Sequence, residues 1–146
     1  MKIYQMKSEQ DIRHYKALLR DYLSWSFEYI AVNFGFQTND DISLAVHDYI
    51  EHDLRSIAKL MPPIGELLLV EIDGEVVAMS GISYLGDDVA EIQKMYVRSN
   101  FRGRGIARKL LMRLIDRAKT QKYSSICLDS AKFMTSAHSL ISFCGI

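Results

Sequence analysis

Residues 90–118 read AEIQKMYVRSNFRGRGIARKLLMRLIDRA, and this stretch decides how the rest of the chain is interpreted. Val89–Val97 alternates between faces as a strand does, and Arg104–Gln121 repeats apolar residues at helical spacing. Between them, the glycines of Arg102-Gly103-Arg104-Gly105 let backbone N–H groups turn toward a ligand, at a helix N-terminus that carries positive partial charge. The stretch therefore predicts a strand, a phosphate-binding loop reinforced by its arginines, and a helix.

This loop does not match either of two common phosphate-binding motifs. It lacks the Gly-Lys-Ser/Thr of a P-loop. Nor does it fit a Rossmann fingerprint, which needs a third glycine and a parallel βαβ unit. Spacing alone leaves a second interpretation open, namely a helix with a flexible first turn and a solvated basic face.

The charge of the chain is zero overall but unevenly distributed. The segment Arg98–Lys122 carries nine basic residues and one acidic residue, a net +8, so the remaining residues carry −8. The segment Asp21–Asp53 carries seven acids and no Lys or Arg. One part of the molecule is therefore suited to an anion and another to a cation.

The remaining sequence predicts one α/β domain with a mostly antiparallel sheet. Ser8 and Asp11 have the spacing of a capping box, and helical periodicity follows through about residue 23. Asn39 opens a second amphipathic helix that reaches Leu54, and Asp73-Gly74 is typical of a tight hairpin turn. The predicted strands are 2–6, 66–72, 75–84, 89–97 and 123–128, with a last helix over 135–144.

Composition narrows the class of protein without naming a function. The 146 residues are 49% apolar and 25% charged, as in a soluble globular domain. No apolar run has the length of a membrane span or a signal peptide, so we expect a cytoplasmic protein. Cys127 and Cys144 are predicted to be core residues, and the four histidines show no metal-ligand grouping, so we expect no metal.

Taken together, these residues resemble the GNAT N-acetyltransferases. Their signature, Arg/Gln-x-x-Gly-x-Gly/Ala, is met by Arg102, Gly105 and Ala107. The stretches 62–69 and 133–140 resemble a bacterial subgroup of small-molecule acetyltransferases, so the likeness covers most of residues 35–146. It implies the GNAT acyl-CoA N-acyltransferase fold, a splayed, mostly antiparallel sheet flanked by helices, with acetyl-CoA between the fourth and fifth strands.

The resemblance also implies roles for individual residues. The backbone of three residues of the fourth strand would hydrogen-bond the pantetheine arm, and the backbone amides of the glycine loop would surround the pyrophosphate. The residue that follows the loop, Arg108, would begin the helix beneath the pyrophosphate. In chain order these cofactor-binding candidates are Met95, Tyr96 and Val97, then Arg102, Gly103, Arg104, Gly105, Ile106 and Ala107, then Arg108.

Glu91 is the candidate general base, because it matches the position of that base in histone-acetyltransferase members of the family. Strand alternation places it on the same face as Gln93, Met95 and Val97. Two alternatives stay open: the carboxylate pairs with Lys94 or a neighbour, or bound water accepts the proton.

The general acid of the family is a tyrosine in Ala-x-x-Leu-Tyr, and this chain has Ile141 at that position. Ser139, Ser142 and His138 are candidate substitutes, and the thiolate could also leave without an enzyme acid. The family also adds two strands after this helix, so we expect a single domain over 1–146 that is short at its C-terminus. An unfinished sheet leaves an open edge that favours a homodimer.

These features predict transfer of an acetyl group from acetyl-CoA to a primary amine of a small molecule. The acids of Asp21–Asp53, together with aromatic residues such as Trp25, favour a cationic acceptor. The alternative is a GNAT-fold module that binds CoA without transferring it. A nucleic-acid partner is disfavoured, because the basic residues cluster at a loop fitted to one pyrophosphate without an aromatic platform among them.

Overall fold

A computed structural model describes residues 1–34, 39–84, 86 and 88–128 of the chain. Short 3-10 turns, Ile57–Leu60 and Ser99–Phe101, precede β2 and α3. The helices are α1 (Glu9–Phe34), α2 (Asn39–Arg55) and α3 (Ile106–Thr120), and the strands are β1 (Lys2–Gln5), β2 (Gly65–Ile72), β3 (Glu75–Tyr84), β4 (Val89–Val97) and β5 (Ser125–Leu128).

The five strands form one sheet in the order β1-β2-β3-β4-β5. The first three pairings are antiparallel, and β5 joins β4 in parallel, with α3 making the crossover between them. The mixed α/β fold with a mostly antiparallel sheet is therefore confirmed. No helix within the described ranges has both the length and the apolar character needed to cross a membrane.

The core lies on both faces of the sheet. Tyr15 and Leu18 of α1 and Ile50 of α2 pack on one face, and the apolar side of α3 packs on the other. β2 contributes to both clusters, because Leu67 and Leu69 face α1 while Leu68 and Val70 face α3. Burial on both faces explains why this strand is apolar at consecutive positions instead of alternating.

Most element boundaries follow the sequence prediction. β3 and β4 have the predicted ends, whereas α1 continues eleven residues beyond the predicted end near residue 23. The prediction for Cys127 was wrong, because its side chain is exposed on β5, the edge strand of the described sheet. The predicted last helix, together with His138, Ile141 and Cys144, lies outside the described residues.

One extra residue interrupts the pairing of β4 with β3. Ala78 and Met79 pair with Val97 and Tyr96, but Gly81 pairs with Gln93, so the register shifts by one residue between them. Lys94 lies at this bulge with a left-handed φ of 60°. A bulge of this kind bends the strand and reverses the faces that later residues occupy.

The N-terminus of α1 has the predicted capping box. Asp11 Oδ2 accepts hydrogen bonds from the backbone N–H groups of Ser8 (3.0 Å) and Lys7 (2.9 Å). The Ser8 hydroxyl accepts one from the Asp11 N–H at 3.1 Å. Partial burial tends to raise the pKa of Asp11, but these bonds to its charged form outweigh burial and leave the pKa below its ordinary value.

The capping box predicts a pH-dependent cost for Asp11→Ala. At pH 7 we expect the free energy of unfolding to fall by about 1 kcal/mol, since the backbone donors lose their acceptor. Because the folded-state pKa is depressed, this stability is present above the unfolded-state pKa and disappears as the pH falls through the folded-state value. Urea unfolding of both proteins at pH 7 and pH 3 measures the difference, with Glu9→Ala in the same first turn as control. An equal cost for Asp11→Ala at both pH values would contradict the assignment.

Candidate active site

The glycine loop combines two left-handed residues with open space around them. Gly103 and Gly105 have φ values of 78° and 77°, a conformation that side chains disfavour. A Cβ built on either residue would meet no atom within 4 Å. The glycines are therefore required by backbone conformation and not by crowding, and the loop backbone is accessible to a ligand.

The N-terminus of α3 is suited to an anion. Gly105 is its N-cap, so no side chain accepts a hydrogen bond from the first amides of the helix. The first turn contains no acid, although acids are the residues that the helix dipole favours there. Arg104, Arg108 and Lys109 lie at this end instead, and a bound anion would offset their unfavourable position.

The fourth and fifth strands pair along only part of β4. Val89–Ile92 pairs with Ser125–Leu128, and within the described part of the chain Gln93–Val97 has no partner strand on that side. The paired end is held by further contacts: the rings of Tyr84 and Tyr123 stack with centroids 4.8 Å apart, and Arg117 bonds to Glu66 at 2.9 Å. These contacts thus clamp the sheet at the end of β4 that pairs with β5.

The bulge corrects the predicted faces of β4. Ile92, Met95 and Val97 belong to the cluster on the side of α3, whereas Tyr96 packs with α1 and α2. Met95 and Val97 therefore do not share a face with Glu91, because the extra residue at Lys94 reverses the alternation. The three predicted pantetheine-binding residues still lie together in the half of β4 that, among the described residues, pairs with β3 but not with β5.

Glu91 is half-buried and lies beside Ser83 of β3 and Cys127 of β5 in the register of the sheet. Nearby on β4, Gln93 donates a 2.6 Å hydrogen bond to Ser83 Oγ. The alternative pairing of Glu91 with Lys94 is not observed, since Lys94 bonds to Asp53. The carboxylate of Glu91 is in neither the hydrogen bonds nor the ion pairs of the described residues, and it lies next to Ile92, the last residue of β4 that pairs with β5 among them.

Lys94 forms a network that the sequence analysis missed. Its ammonium is 3.1 Å from Asp53 of α2 and donates a 3.0 Å hydrogen bond to Tyr49. Asp53 also accepts a 2.5 Å hydrogen bond from the Tyr15 hydroxyl. Burial disfavours the charged form of Lys94, but Tyr49 and the charge of Asp53 outweigh it and raise its pKa. The network ties the bulge to both helices on that face.

Arg102 folds back onto α1 instead of extending from the glycine loop. Its Cζ lies 5.0 Å from the ring centroid of Trp25 and 5.6 Å from that of Tyr96. Its Nε donates a 2.9 Å hydrogen bond to the carbonyl of Val97. We expected the arginines of the loop, Arg102 and Arg104, to reinforce phosphate binding. The side chain of Arg102 does not meet this expectation, because it contacts Trp25 and Tyr96 instead.

Two acids of the Asp21–Asp53 segment are already paired with basic residues of β4. Asp53 pairs with Lys94, and Asp21 Oδ2 lies 3.6 Å from Arg98 Nε. Trp25, one of the aromatic residues expected to meet a cationic acceptor, contacts Arg102. Part of the charge pattern that favoured such an acceptor is thus accounted for by contacts within the fold.

A groove of about 530 Å³ lies on the opposite side of the site, between α3 and the start of the chain. It involves Met1 and Ile3, which belong to the far edge of the sheet from β5. It shares only Gly105 and Arg108 with the predicted cofactor residues, and no residue of β4 lines it. Its lining residues are Met1, Ile3, Gly105, Arg108, Lys109, Met112, Arg113 and Asp116.

Comparison with known proteins agrees with this architecture. Residues 39–146 match the acetyltransferase (GNAT) family. The chain is 34% identical over 80 residues to YjgM of Escherichia coli, an uncharacterized N-acetyltransferase, covering 53% of this chain and 48% of that protein. It is 35% identical over 85 residues to the N-acetylaspartate synthetase of Danio rerio, covering 57% of this chain and 30% of that enzyme.

A solved structure shows the same fold. The PaiA N-acetyltransferase of Thermoplasma acidophilum, in complex with coenzyme A, superposes with a TM-score of 0.74 at 17% identity, covering 99% of this chain and 89% of that one. The curated relatives are longer, since the matches span about half of YjgM and under a third of the Danio rerio enzyme. The fold is that of the acyl-CoA N-acyltransferases. The chain belongs to the GNAT family.

The Lys94 network predicts a substantial cost for Lys94→Met. The substitution keeps an unbranched side chain at the left-handed position but leaves the carboxylate of Asp53 partly buried without its cation. We expect the free energy of unfolding to fall by about 1–3 kcal/mol. Urea unfolding measures it, with the exposed Lys59→Met as control, and Asp53→Asn added to Lys94→Met should recover part of the loss. Equal stability of Lys94→Met and wild type would show that the network contributes nothing.

Proposed function

We propose that this protein transfers the acetyl group of acetyl-CoA to the primary amine of a small molecule. The observation that carries the proposal is a glycine loop at an uncapped helix N-terminus, close to the part of β4 that has no partner on the side of β5 among the described residues. Membership of the GNAT family supports the same reaction.

The residues of this site fit the parts of acetyl-CoA. The amides of Gly103–Ala107 and the basic residues Arg104 and Arg108 suit a pyrophosphate, because they combine backbone donors, a helix dipole and positive charge. The backbone of Met95–Val97 has no partner on the side of β5 among the described residues, so it suits the amide-bearing pantetheine arm. When bound, acetyl-CoA supplies an activated acetyl thioester.

Glu91 is suited to accept the proton that the attacking amine must lose. An amine attacks only in its neutral form, and the bond it makes to the acetyl carbon releases a proton as the thiolate leaves. A carboxylate with no ion pair among the described residues can take that proton, directly or through one water. Glu91 therefore acts as general base, next to the last residue of β4 that pairs with β5 among the described residues.

The acceptor is proposed as an amine without a preference for positive charge. Asp21 and Asp53, two of the acids that favoured a cation, are engaged by Arg98 and Lys94. Among the relatives, one is named for the synthesis of N-acetylaspartate, an acetylated acidic amino acid. Cationic, neutral and acidic amines thus all belong in the substrate panel.

Gly105→Val should abolish binding of acetyl-CoA, because a β-branched side chain would enter the open space over the loop and strain its left-handed backbone. Gly74→Val is the matched control: Gly74 has a φ of 81°, has no atom within 4 Å of a built Cβ, and lies in the β2–β3 turn. Both variants should lose similar stability. Calorimetric titration with acetyl-CoA should show binding to wild type and Gly74→Val only, and undiminished affinity in folded Gly105→Val would exclude this loop.

Glu91→Gln should lower kcat/KM by about 10²-fold while leaving the affinity for acetyl-CoA unchanged, because the amide keeps the shape but cannot accept the proton. The measurement is thiol release over the amine panel, with Glu71→Gln on β2 as a half-buried carboxylate control. A loss of only a few-fold would assign the base role to water. Acetyl-CoA binding without thiol release for any amine would instead identify a CoA-binding module.

A further inference from the structure

The first residue of the family signature, Arg102, is exposed, but its side chain contacts other parts of the protein. Arg102 packs against the aromatic platform, which we define as Tyr22, Trp25 and Tyr96. The rings of Tyr22 and Tyr96 meet edge to face at 5.7 Å, and Trp25 and Tyr96 lie 6.4 Å apart. The guanidinium of Arg102 lies over Trp25 and Tyr96 at 5.0 and 5.6 Å from their centroids.

The same side chain also closes the turn that leads into the glycine loop. Arg102 Nε donates to the Val97 carbonyl at 2.9 Å, which joins the last residue of β4 to the first residue of the loop. The loop then passes through two left-handed glycines before α3 begins. Glycine offers little conformational restraint of its own, so a loop that must present its amides in one arrangement needs an anchor beside it.

An arginine at this position has an alternative role to anchoring the loop, namely direct binding of the phosphate groups of the cofactor. Such an arginine acts through its charge, and a lysine would replace it in part. The guanidinium observed here lies over two rings while its Nε donates to the Val97 carbonyl, and an ammonium group, which is a compact point charge, does not match that combination of contacts.

We propose that Arg102 is a positioning residue whose guanidinium, stacked on Trp25 and Tyr96 and bonded to the Val97 carbonyl, fixes the glycine loop for acyl-CoA and joins it to α1. This inference rests on the proposed binding of acetyl-CoA at that loop. Trp25 becomes part of the cofactor site although it lies on another element.

Charge and geometry are separated by comparing four variants in titrations with acetyl-CoA at two salt concentrations. Arg102→Lys and Arg102→Gln should both weaken binding by about tenfold, because each loses the stack. Trp25→Ala should match them although it removes no charge, and Trp25→Phe should stay closer to wild type. All four should keep the wild-type salt dependence. Near-wild-type affinity of Arg102→Lys, or unchanged affinity of Trp25→Ala, would overturn the proposal.

Arg104 provides a comparison within the same loop. Its guanidinium lies over Phe101 at 4.9 Å and makes no contact with the aromatic platform in the described structure. If it acts by charge, Arg104→Lys should bind better than Arg104→Gln, and only Arg104→Gln should have a weaker salt dependence. The same pattern in the Arg102 pair would show that Arg102 also acts by charge.

Fluorescence tests the stack without any cofactor. Trp25 is the single tryptophan of the chain, so its emission reports the environment of this one ring. Arg102→Lys and Arg102→Gln should shift the emission of the apo protein, and Arg104→Gln should not. If wild type fails to bind acetyl-CoA, the proposed function is wrong while the emission still decides whether the stack exists. Emission that is unchanged in both Arg102 variants would refute the stack itself.

Discussion

One inserted residue in β4 determines which side chains meet on each face of the sheet. Side chains alternate with a period of two along a strand, so the extra position at Lys94 exchanges the faces of the residues that follow. Tyr96 consequently reaches the side of α1, where it lies under Arg102, while Met95 and Val97 pack toward α3. The aromatic platform and the anchored loop both depend on that exchange. The ammonium of Lys94 holds the bulge against α2 through Asp53.

Sequence periodicity predicted most of the boundaries of the helices and strands, but it did not predict the bulge in β4. β3, β4 and the capping box at Ser8 follow from local patterns, because turns, caps and alternation are encoded by neighbouring residues. The consecutive polar residues Gln93 and Lys94, followed by three apolar ones, do break the alternation of β4 and are the signal that could have predicted it. The contact between Lys94 and Asp53 joins residues far apart in the chain, and no local pattern encodes such a pairing.

Formal charge was a similarly incomplete guide to the site. The net +8 of Arg98–Lys122 drew attention to the loop, but several of these charges have partners within the fold. Arg98 pairs with Asp21, Arg117 with Glu66, and Arg102 stacks on aromatic rings. Counting charges along a sequence cannot separate those used in packing from those at the N-terminus of α3, because that division depends on which elements meet.

The clamp at the paired end of β4 gives the sheet an uneven stiffness. Tyr84 stacked on Tyr123, and Arg117 bonded to the mostly buried Glu66, tie β2, β3, α3 and the segment before β5 together at that end. Any spreading of the strands must therefore pivot there, and its amplitude must grow toward Val97. Within the described residues no strand pairs with Gln93–Val97 on the side of β5, so a ligand bound along that edge breaks no hydrogen bond of the described sheet. The contacts at the paired end therefore restrain β4 most strongly at Val89–Ile92, and a ligand beside Met95–Val97 would lie at the less restrained end of the strand.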